Sequence, residues 1–203
     1  MEEKDNRLSQ WKRLSGGSFL IALGLLLGFG IYQYKQKLNY RQYLQNRFQE
    51  SFYEATTYVD NMENLFTKVR LTKSPDQSAP LFAQIWREAS SAQDNLAELP
   101  YDHNTISKAL KFLSQASDFS FSMTNKAIEG FELDEEDWKK VDQLKKYAKI
   151  LSDELNKIKQ EVNDGKRIDW EEIESEGEKR LAKGNTKAIT GSFSEISKQF
   201  EDI

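Results

Sequence analysis

A stretch of 21 residues without a charged side chain, at 14–34, constrains this chain more than any other feature of its sequence. All 62 charged residues lie outside it, so about a third of the remaining positions are charged. As an α-helix the stretch would be roughly 31 Å long, which matches the hydrocarbon core of a bilayer. Trp11 precedes it and Tyr32 and Tyr34 close it, where aromatic rings suit the level of the lipid headgroups. The sequence therefore predicts a transmembrane helix at 14–34 after a short polar tail at 1–13.

This segment leaves two alternatives open. A cleaved signal peptide also carries an apolar run, and Gly28 and Gly30 suit a cleavage site, but the run is longer than usual for such a peptide. Gly17, Gly24 and Gly28 share one helical face and include a GxxxG motif, which would allow two spans to form a homodimer. Glycines are common in membrane helices in any case. Four basic residues precede the segment, and four stand close after it, at 35–47, so charge does not fix its orientation.

From Lys35 onward, apolar residues recur at steps of three and four, which is the period of an amphipathic α-helix. Four such stripes run over 44–69, 82–99, 106–127 and 141–162. Short connections between helices imply antiparallel neighbours. The sequence predicts an all-α chain, with one N-terminal transmembrane helix followed by an up-and-down antiparallel helical bundle of four main helices at 35–163.

Residues that favour helix ends stand between the stripes. Pro75 and Pro100 end the first and second stripes, and Asn104 is predicted to cap the third helix. Gly130 is predicted to end the third helix and Asp134 to cap the fourth. Three acidic residues follow this cap, where they suit the positive end of the helix dipole.

Residues 164–203 are predicted to form an acidic connector and a short C-terminal helix that packs on the bundle. The helical step reappears at Phe193, Ile196, Phe200 and Ile203. The connector is either a solvated link or a strip that docks a partner with a basic surface. The candidate docking residues are Trp170, Glu171, Glu172 and Ile173.

Composition excludes several kinds of site. The chain has no cysteine and one histidine, His103, which rules out disulfides, thiolate zinc sites and sites that need two histidines. Nearly every Asp and Glu falls off the apolar stripes, as on solvated helix faces, rather than forming the carboxylate pair of a glycoside hydrolase. A net charge of −4 is atypical of a nucleic-acid binder. We expect a chain that is not an enzyme and holds no cofactor or metal.

Four residues beside the stripes are predicted to be structural: Trp86, Arg87, Asp118 and Trp138. Trp86 is expected in the core, and Arg87 is expected to pair with Asp118 on the neighbouring helix and fix its register. Leu133 is placed to pack on Trp138 as a hydrophobic staple at the start of the fourth helix.

Several segments resemble the amino-terminal half of the spore germination protein YpeB family. They are PLFAQIWREASSAQDNLAELP at 80–100, FLSQASDFSF at 112–121, LDEEDWKKVDQL at 133–144 and the later Ile168-Asp169-Trp170. No catalytic residue belongs to this pattern.

The resemblance implies a role that periodicity does not reveal. Members of the family are single-span proteins of the inner spore membrane, with the amino terminus cytoplasmic and the bulk extracytoplasmic. They support the accumulation or stability of the cortex-lytic enzyme SleB, and so the breakdown of cortex at germination. The family's carboxy-terminal half carries PepSY domains, and this sequence stops before that region, as either a fragment or a short homologue would. We therefore expect a non-enzymatic accessory protein; the alternative is an extracytoplasmic sensor that binds a small ligand in its four-helix domain.

Overall fold

The computed structural model describes residues 2–72, 74–100, 103–164 and Ile168, with side chains in the first and third helices described from Gly24 and Ile106 onward. The described residues form four α-helices and no strand, which confirms the predicted all-α class for this part of the chain. The helices are α1 (Glu2–Val69), α2 (Pro75–Ala97), α3 (His103–Ile128) and α4 (Glu135–Asn163). The predicted C-terminal helix lies outside the described residues.

The backbone contacts divide the chain into two units, Met1–Leu44 and Gln45–Ile203. In the first unit, the described side chains of Leu25, Phe29 and Ile31 are exposed. Among the described residues, no helix is both long and apolar enough to cross a bilayer. Side chains of the predicted span are described only from Gly24 onward.

In the second unit, α1 is antiparallel to α2. Ser51 donates to Glu98 at 2.9 Å, and Asn61 donates to Glu88 at 3.1 Å. The later residue of α1 therefore contacts the earlier residue of α2, so the two helices run in opposite directions. The same reversal relates α1 to α4, where Tyr53 meets Asn163 and Arg70 meets Asp142. The end of α1 therefore lies between two antiparallel neighbours.

Two further pairs complete the ring of helices. Ser90 bonds Ser117 at 2.8 Å between α2 and α3. The rings of Phe112 and Tyr147 lie 6.1 Å apart between α3 and α4. Each helix thus packs beside the helices that precede and follow it, and α4 returns to α1, as an up-and-down four-helix bundle requires.

The predicted apolar stripes form the core. Its largest fully buried side chains are Phe52, Met62, Phe66, Phe82, Ile85, Leu96, Phe112, Leu113 and Leu144. Ile168, after the end of α4, is 8% exposed and belongs to the same cluster. Each such side chain contributes about 1.5–3 kcal/mol when removed from water.

Small residues let α2 and α3 approach closely along their length. The fully buried positions on these helices include Ala89, Ala92, Ala116 and Ser120. The backbones of α3 and α4 approach each other at fewer positions. The larger Phe112 and Tyr147 occupy part of the space between them.

The connection from α3 to α4 follows its predicted turn chemistry. Gly130 has φ +81°, and its N–H donates to the carbonyl of Ala127 at 3.0 Å. The Phe131 N–H donates to the carbonyl of Lys126 at 3.0 Å. Together these bonds make a Schellman motif, in which glycine takes a left-handed conformation without strain.

The start of α4 carries the predicted cap. The backbone N–H of Asp137 donates to the Asp134 carboxylate at 2.9 Å, and the Asp134 N–H donates back to Asp137 at 3.0 Å. This reciprocal pair is a capping box. The start of α3 differs from the prediction, because α3 begins at His103 and Asn104 lies within its first turn.

Candidate functional site

The described surface carries open grooves. One runs along α4 between Ile150 and Gln160. Another lies beside Phe119 and the first turns of α4. No group of three or more metal-ligating side chains occurs among the described residues. The hydrogen bonds and ion pairs of the charged side chains show which of these residues serve the fold.

Among the residues whose side chains are described, two carboxylates lie buried in the bundle, and both have partners. Glu88 accepts from Arg87 at 3.0 Å and from Asn61 at 3.1 Å. Glu154 pairs with Lys157 one turn further along α4. Since a buried charge is tolerated only when it is paired and hydrogen-bonded, these contacts stabilise the helices that carry them.

Asp60 links α1 to α4. Its carboxylate accepts from the Ser152 hydroxyl at 2.5 Å and from the Asn156 amide at 2.8 Å. The two donors lie one turn apart on α4, so together they fix the position of Asp60 along the axis of that helix. This contact fixes the register of α1 against α4.

Glu98 links the end of α2 to α1. Its carboxylate accepts from the Arg47 guanidinium and the Ser51 hydroxyl, both at 2.9 Å. The hydrogen bond from Arg47, followed by that from Ser51, holds the pKa of Glu98 below its usual value. The carboxylate therefore remains charged in this contact under mildly acidic conditions.

Lys126 joins α3 to the cap of α4. Its ammonium group contacts Asp137 and, at 3.0 Å, Asp134. These bonds raise the pKa of Lys126, the bond to Asp137 having the larger effect. The pKa of Asp134 is lowered, chiefly by the backbone N–H of Asp137 and then by Lys126. The charges reinforce the turn between the two helices.

Trp86 is not a core residue, contrary to the prediction. Its side chain is 44% exposed, and its ring lies 5.4 Å from that of Phe121, which is 49% exposed. Ile85 is fully buried. The next residue on a helix is rotated by about 100°, which turns Trp86 out of the core towards the outer side of α3.

The predicted ion pair of Arg87 with Asp118 is wrong. The Arg87 side chain is 68% exposed and donates to its neighbour Glu88 instead. Asp118 is exposed on α3. Both residues lie on the side of their helix that faces away from the core, so neither reaches across the bundle.

Trp138 lies half-buried against the core, as does Leu133 just before the cap. The guanidinium of Arg70 lies 5.0 Å from the centroid of the Trp138 ring, within the range of a cation–π contact. Arg70 also pairs with Asp142 at 3.1 Å. These contacts connect the end of α1 to the start of α4.

Most of the remaining candidate residues lie outside the part of the chain that the structure describes. Trp170, Glu171, Glu172 and Ile173 lie outside the described residues, and so does the side-chain environment of Gly17. A methyl group added at Gly24 or Gly28 would meet nothing within 4 Å.

The exposed aromatic pair of Trp86 and Phe121 was not predicted from the sequence. Phe121 follows the buried Ser120 and stands off the apolar stripe. A large apolar residue beside a stripe is the signal that could have identified it, because the opposite side of an amphipathic helix normally carries polar residues.

Comparison with known proteins places the bundle in a family. The YpeB N-terminal family model matches residues 36–172, about two thirds of the chain. The sporulation protein YpeB of Oceanobacillus iheyensis is 25% identical over 173 residues, which is 85% of this chain and 38% of that protein. The protein of the same name in Bacillus subtilis is 24% identical over 162 residues, or 78% of this chain and 36% of that protein.

The chain thus spans little more than a third of the length of these curated relatives. No solved structure matches it. The family match begins in α1, contains all of α2, α3 and α4, and extends past the buried Ile168. On that match, the chain belongs to the YpeB N-terminal family, and its relatives are sporulation proteins.

Proposed function

We propose that this chain is a non-enzymatic accessory protein of spore germination that supports the localisation or stability of the cortex-lytic enzyme SleB. The observation that carries the proposal is the family match over 36–172, which covers the helices of the bundle. The named relatives support a role in sporulation. The assignment to germination and to SleB goes further and rests on the family resemblance.

The proposed anchor is the apolar segment at 14–34, with the amino terminus in the cytoplasm and the bundle outside the inner spore membrane. Leu25, Phe29 and Ile31 are exposed on α1, and a row of exposed apolar side chains needs a cover. Lipid fits both the length of the uncharged stretch and its aromatic ends. An anchor would also keep a bound enzyme at high local concentration beside the membrane.

Orientation has a direct test. Protease added to protoplasts prepared from the spores themselves, in which the inner spore membrane is the outer boundary, should digest the bundle and spare a tag fused to the amino terminus. A protected bundle with a digested tag would contradict the proposed topology.

Binding of the enzyme is assigned to the strip at 170–173. Ile168 is buried in the core cluster, so the strip starts two residues after a position fixed to the bundle. The family match continues to residue 172. Trp170 supplies an aromatic anchor, and Glu171 and Glu172 suit a basic surface on the partner.

Affinity capture tests this assignment. The tagged full chain, isolated from sporulating cells in detergent, should recover SleB, as judged by immunoblot. Trp170→Ala should reduce the recovery about tenfold, since aromatic anchors carry much of the binding energy at protein interfaces.

Charge reversal supplies a matched comparison. Glu171→Lys with Glu172→Lys should also reduce recovery, whereas Glu129→Lys, which reverses an exposed charge just after the end of α3, should not. Equal recovery with all variants would remove the strip from the interface, and no recovery with the unchanged chain would remove SleB as the partner.

A further inference from the structure

The outer face of the α2 and α3 pair combines an uncharged centre with charged margins. The centre contains the exposed rings of Trp86 and Phe121 together with small half-buried residues such as Ala83 and Ser90. An exposed Trp and Phe in contact, in a chain with 31% charged residues, indicate a surface that binds protein. We name this surface, on α2 and α3, the outer face.

The heights of these residues along the bundle follow from two contacts. Trp86 lies level with Phe121, and Ser90 lies level with Ser117. Since α2 and α3 are antiparallel, each step forward on α2 is matched by a step back on α3. Positions 87 and 118 are therefore level to within one helical turn, and so are positions 94 and 111.

These level positions carry opposite charges on the margins of the outer face. On α2, Arg87 and Asp94 are exposed; on α3, Lys111 and Asp118 are exposed. Each helix thus presents one positive and one negative residue. The positive residue of each helix stands level with the negative residue of the other.

We propose that the outer face binds the outer face of a second copy of this chain. A twofold axis parallel to α2 and α3 preserves heights and places α2 of one copy opposite α3 of the other. Arg87 then faces the Asp118 of the second copy, and Asp94 faces its Lys111. The rings of Trp86 and Phe121 from both copies meet at one level in the middle.

The size of the face fits this occupant. α2 has 23 residues, so the face is roughly 34 Å long, and two adjacent helices are about 20 Å wide. The product, ~700 Å² per copy, is close to the ~800 Å² that each partner buries in a standard interface. The small residues beside the aromatic rings allow the helices of the two copies to approach closely. This inference does not depend on the proposed role with SleB.

Charge reversal tests the pairing. We expect sedimentation equilibrium of the full chain in density-matched detergent to show dimers. Arg87→Asp or Asp118→Arg alone should weaken the dimer at least about tenfold, because like charges then face each other twice across the axis. The double variant Arg87→Asp with Asp118→Arg should recover most of the lost affinity, because the pairs reform with their signs exchanged.

Controls separate this interface from association elsewhere. Lys146→Asp reverses an exposed charge on α4 and should leave the dimer unchanged. Asp118→Arg changes an exposed residue and should leave helix content and melting temperature unchanged in circular dichroism. Arg87→Asp removes the ion-pair partner of the buried Glu88 and should lower the melting temperature at unchanged helix content, so Asp118→Arg is the variant that separates dimer formation from stability. A monomeric full chain, single reversals without effect, or a double variant weaker than both singles would each overturn the proposal.

Cross-linking adds a positional test, since the chain has no cysteine of its own. Copies with Arg87→Cys mixed with copies with Asp118→Cys should form a mixed disulfide under mild oxidation. Copies with Lys146→Cys mixed with the same Arg87→Cys copies should not. A dimer that forms through the membrane segment alone would give no cross-link between positions 87 and 118, and that result would also overturn the proposal.

Discussion

At the scale of single residues, Ser120 carries a hydroxyl group that is fully buried in α3 and makes no hydrogen bond in the described structure. A buried polar group without a partner retains the cost of leaving water. Ser120→Ala removes that group and leaves a methyl in the close contact between α2 and α3. We expect the free energy of unfolding to rise by about 1 kcal/mol in urea titrations. A fall of similar size would show that the hydroxyl stabilises the fold.

Glu98 makes the stability of the bundle depend on pH. Its pKa in the folded chain is lowered below the unfolded value of about 4.3, so its contribution is present above that value. The contribution is lost as the pH falls through the folded pKa. Glu98 is 44% exposed, and solvent screening keeps the effect small.

The test for Glu98 compares the unchanged chain with Glu98→Gln by thermal melting between neutral and acidic pH. We expect the variant to melt lower at neutral pH and the difference to vanish in acid. Glu129→Gln, at an exposed site, serves as the control and should show no difference at any pH. A Glu98→Gln difference that stays constant down to acidic pH would contradict the assigned linkage.

The structure departs from the sequence patterns at this scale too. Periodicity correctly predicts that Ile85 lies in the core. Trp86 is one residue further round the helix, and periodicity does not show how far round α2 the buried side extends. Arg87 and Asp118 are level, as expected for neighbouring helices. They do not pair, because the direction of a side chain at the margin depends on how each helix is rotated in the bundle.

At the scale of helices, turn chemistry is specific enough to read from sequence. Gly130 was predicted to end α3 because a left-handed residue after a helix is usually glycine, and Asp134 was predicted as a cap for the same kind of reason. The predicted cap at Asn104 is wrong, because residue types that favour caps also occur within the first turn of a helix. A turn needs one conformation at one residue, whereas a helix start tolerates several nearby caps.

Gly130→Ala tests the Schellman turn. Its φ of +81° is unfavourable for any residue with a Cβ, and we expect a loss of about 1–2 kcal/mol in the free energy of unfolding. The adjacent Glu129→Ala is the control and should change it by less than about 0.5 kcal/mol. Urea titrations measure both, and an unchanged midpoint for Gly130→Ala would show that the turn does not require glycine.

The close approach of α2 and α3 has its own test. Ala116 is fully buried on α3, so Ala116→Leu should overpack the core and lower the free energy of unfolding by about 1–3 kcal/mol. Ala97→Leu, at an exposed position on α2, makes the same chemical change and should cost little. If Ala116→Leu were neutral in urea titrations, the two helices would be farther apart than described.

At the scale of the whole molecule, the bundle uses its apolar stripes to bury one helix against another and its buried carboxylates to bind neighbouring side chains. All-helical architecture was predictable because four stripes at one period have few ways to be buried. The family match then adds what physical patterns do not contain, namely that the relatives are sporulation proteins. A partner's identity is not encoded in periodicity, since the same stripes serve any bundle.

The proposal that the molecule serves SleB is tested most directly by the amount of that enzyme in dormant spores. Spores from cells that lack this protein should be compared by immunoblot with spores in which the full-length gene has been restored. We expect severalfold less intact SleB without the protein and recovery when the gene returns. Equal amounts of intact SleB in both kinds of spore would contradict the proposed accessory role.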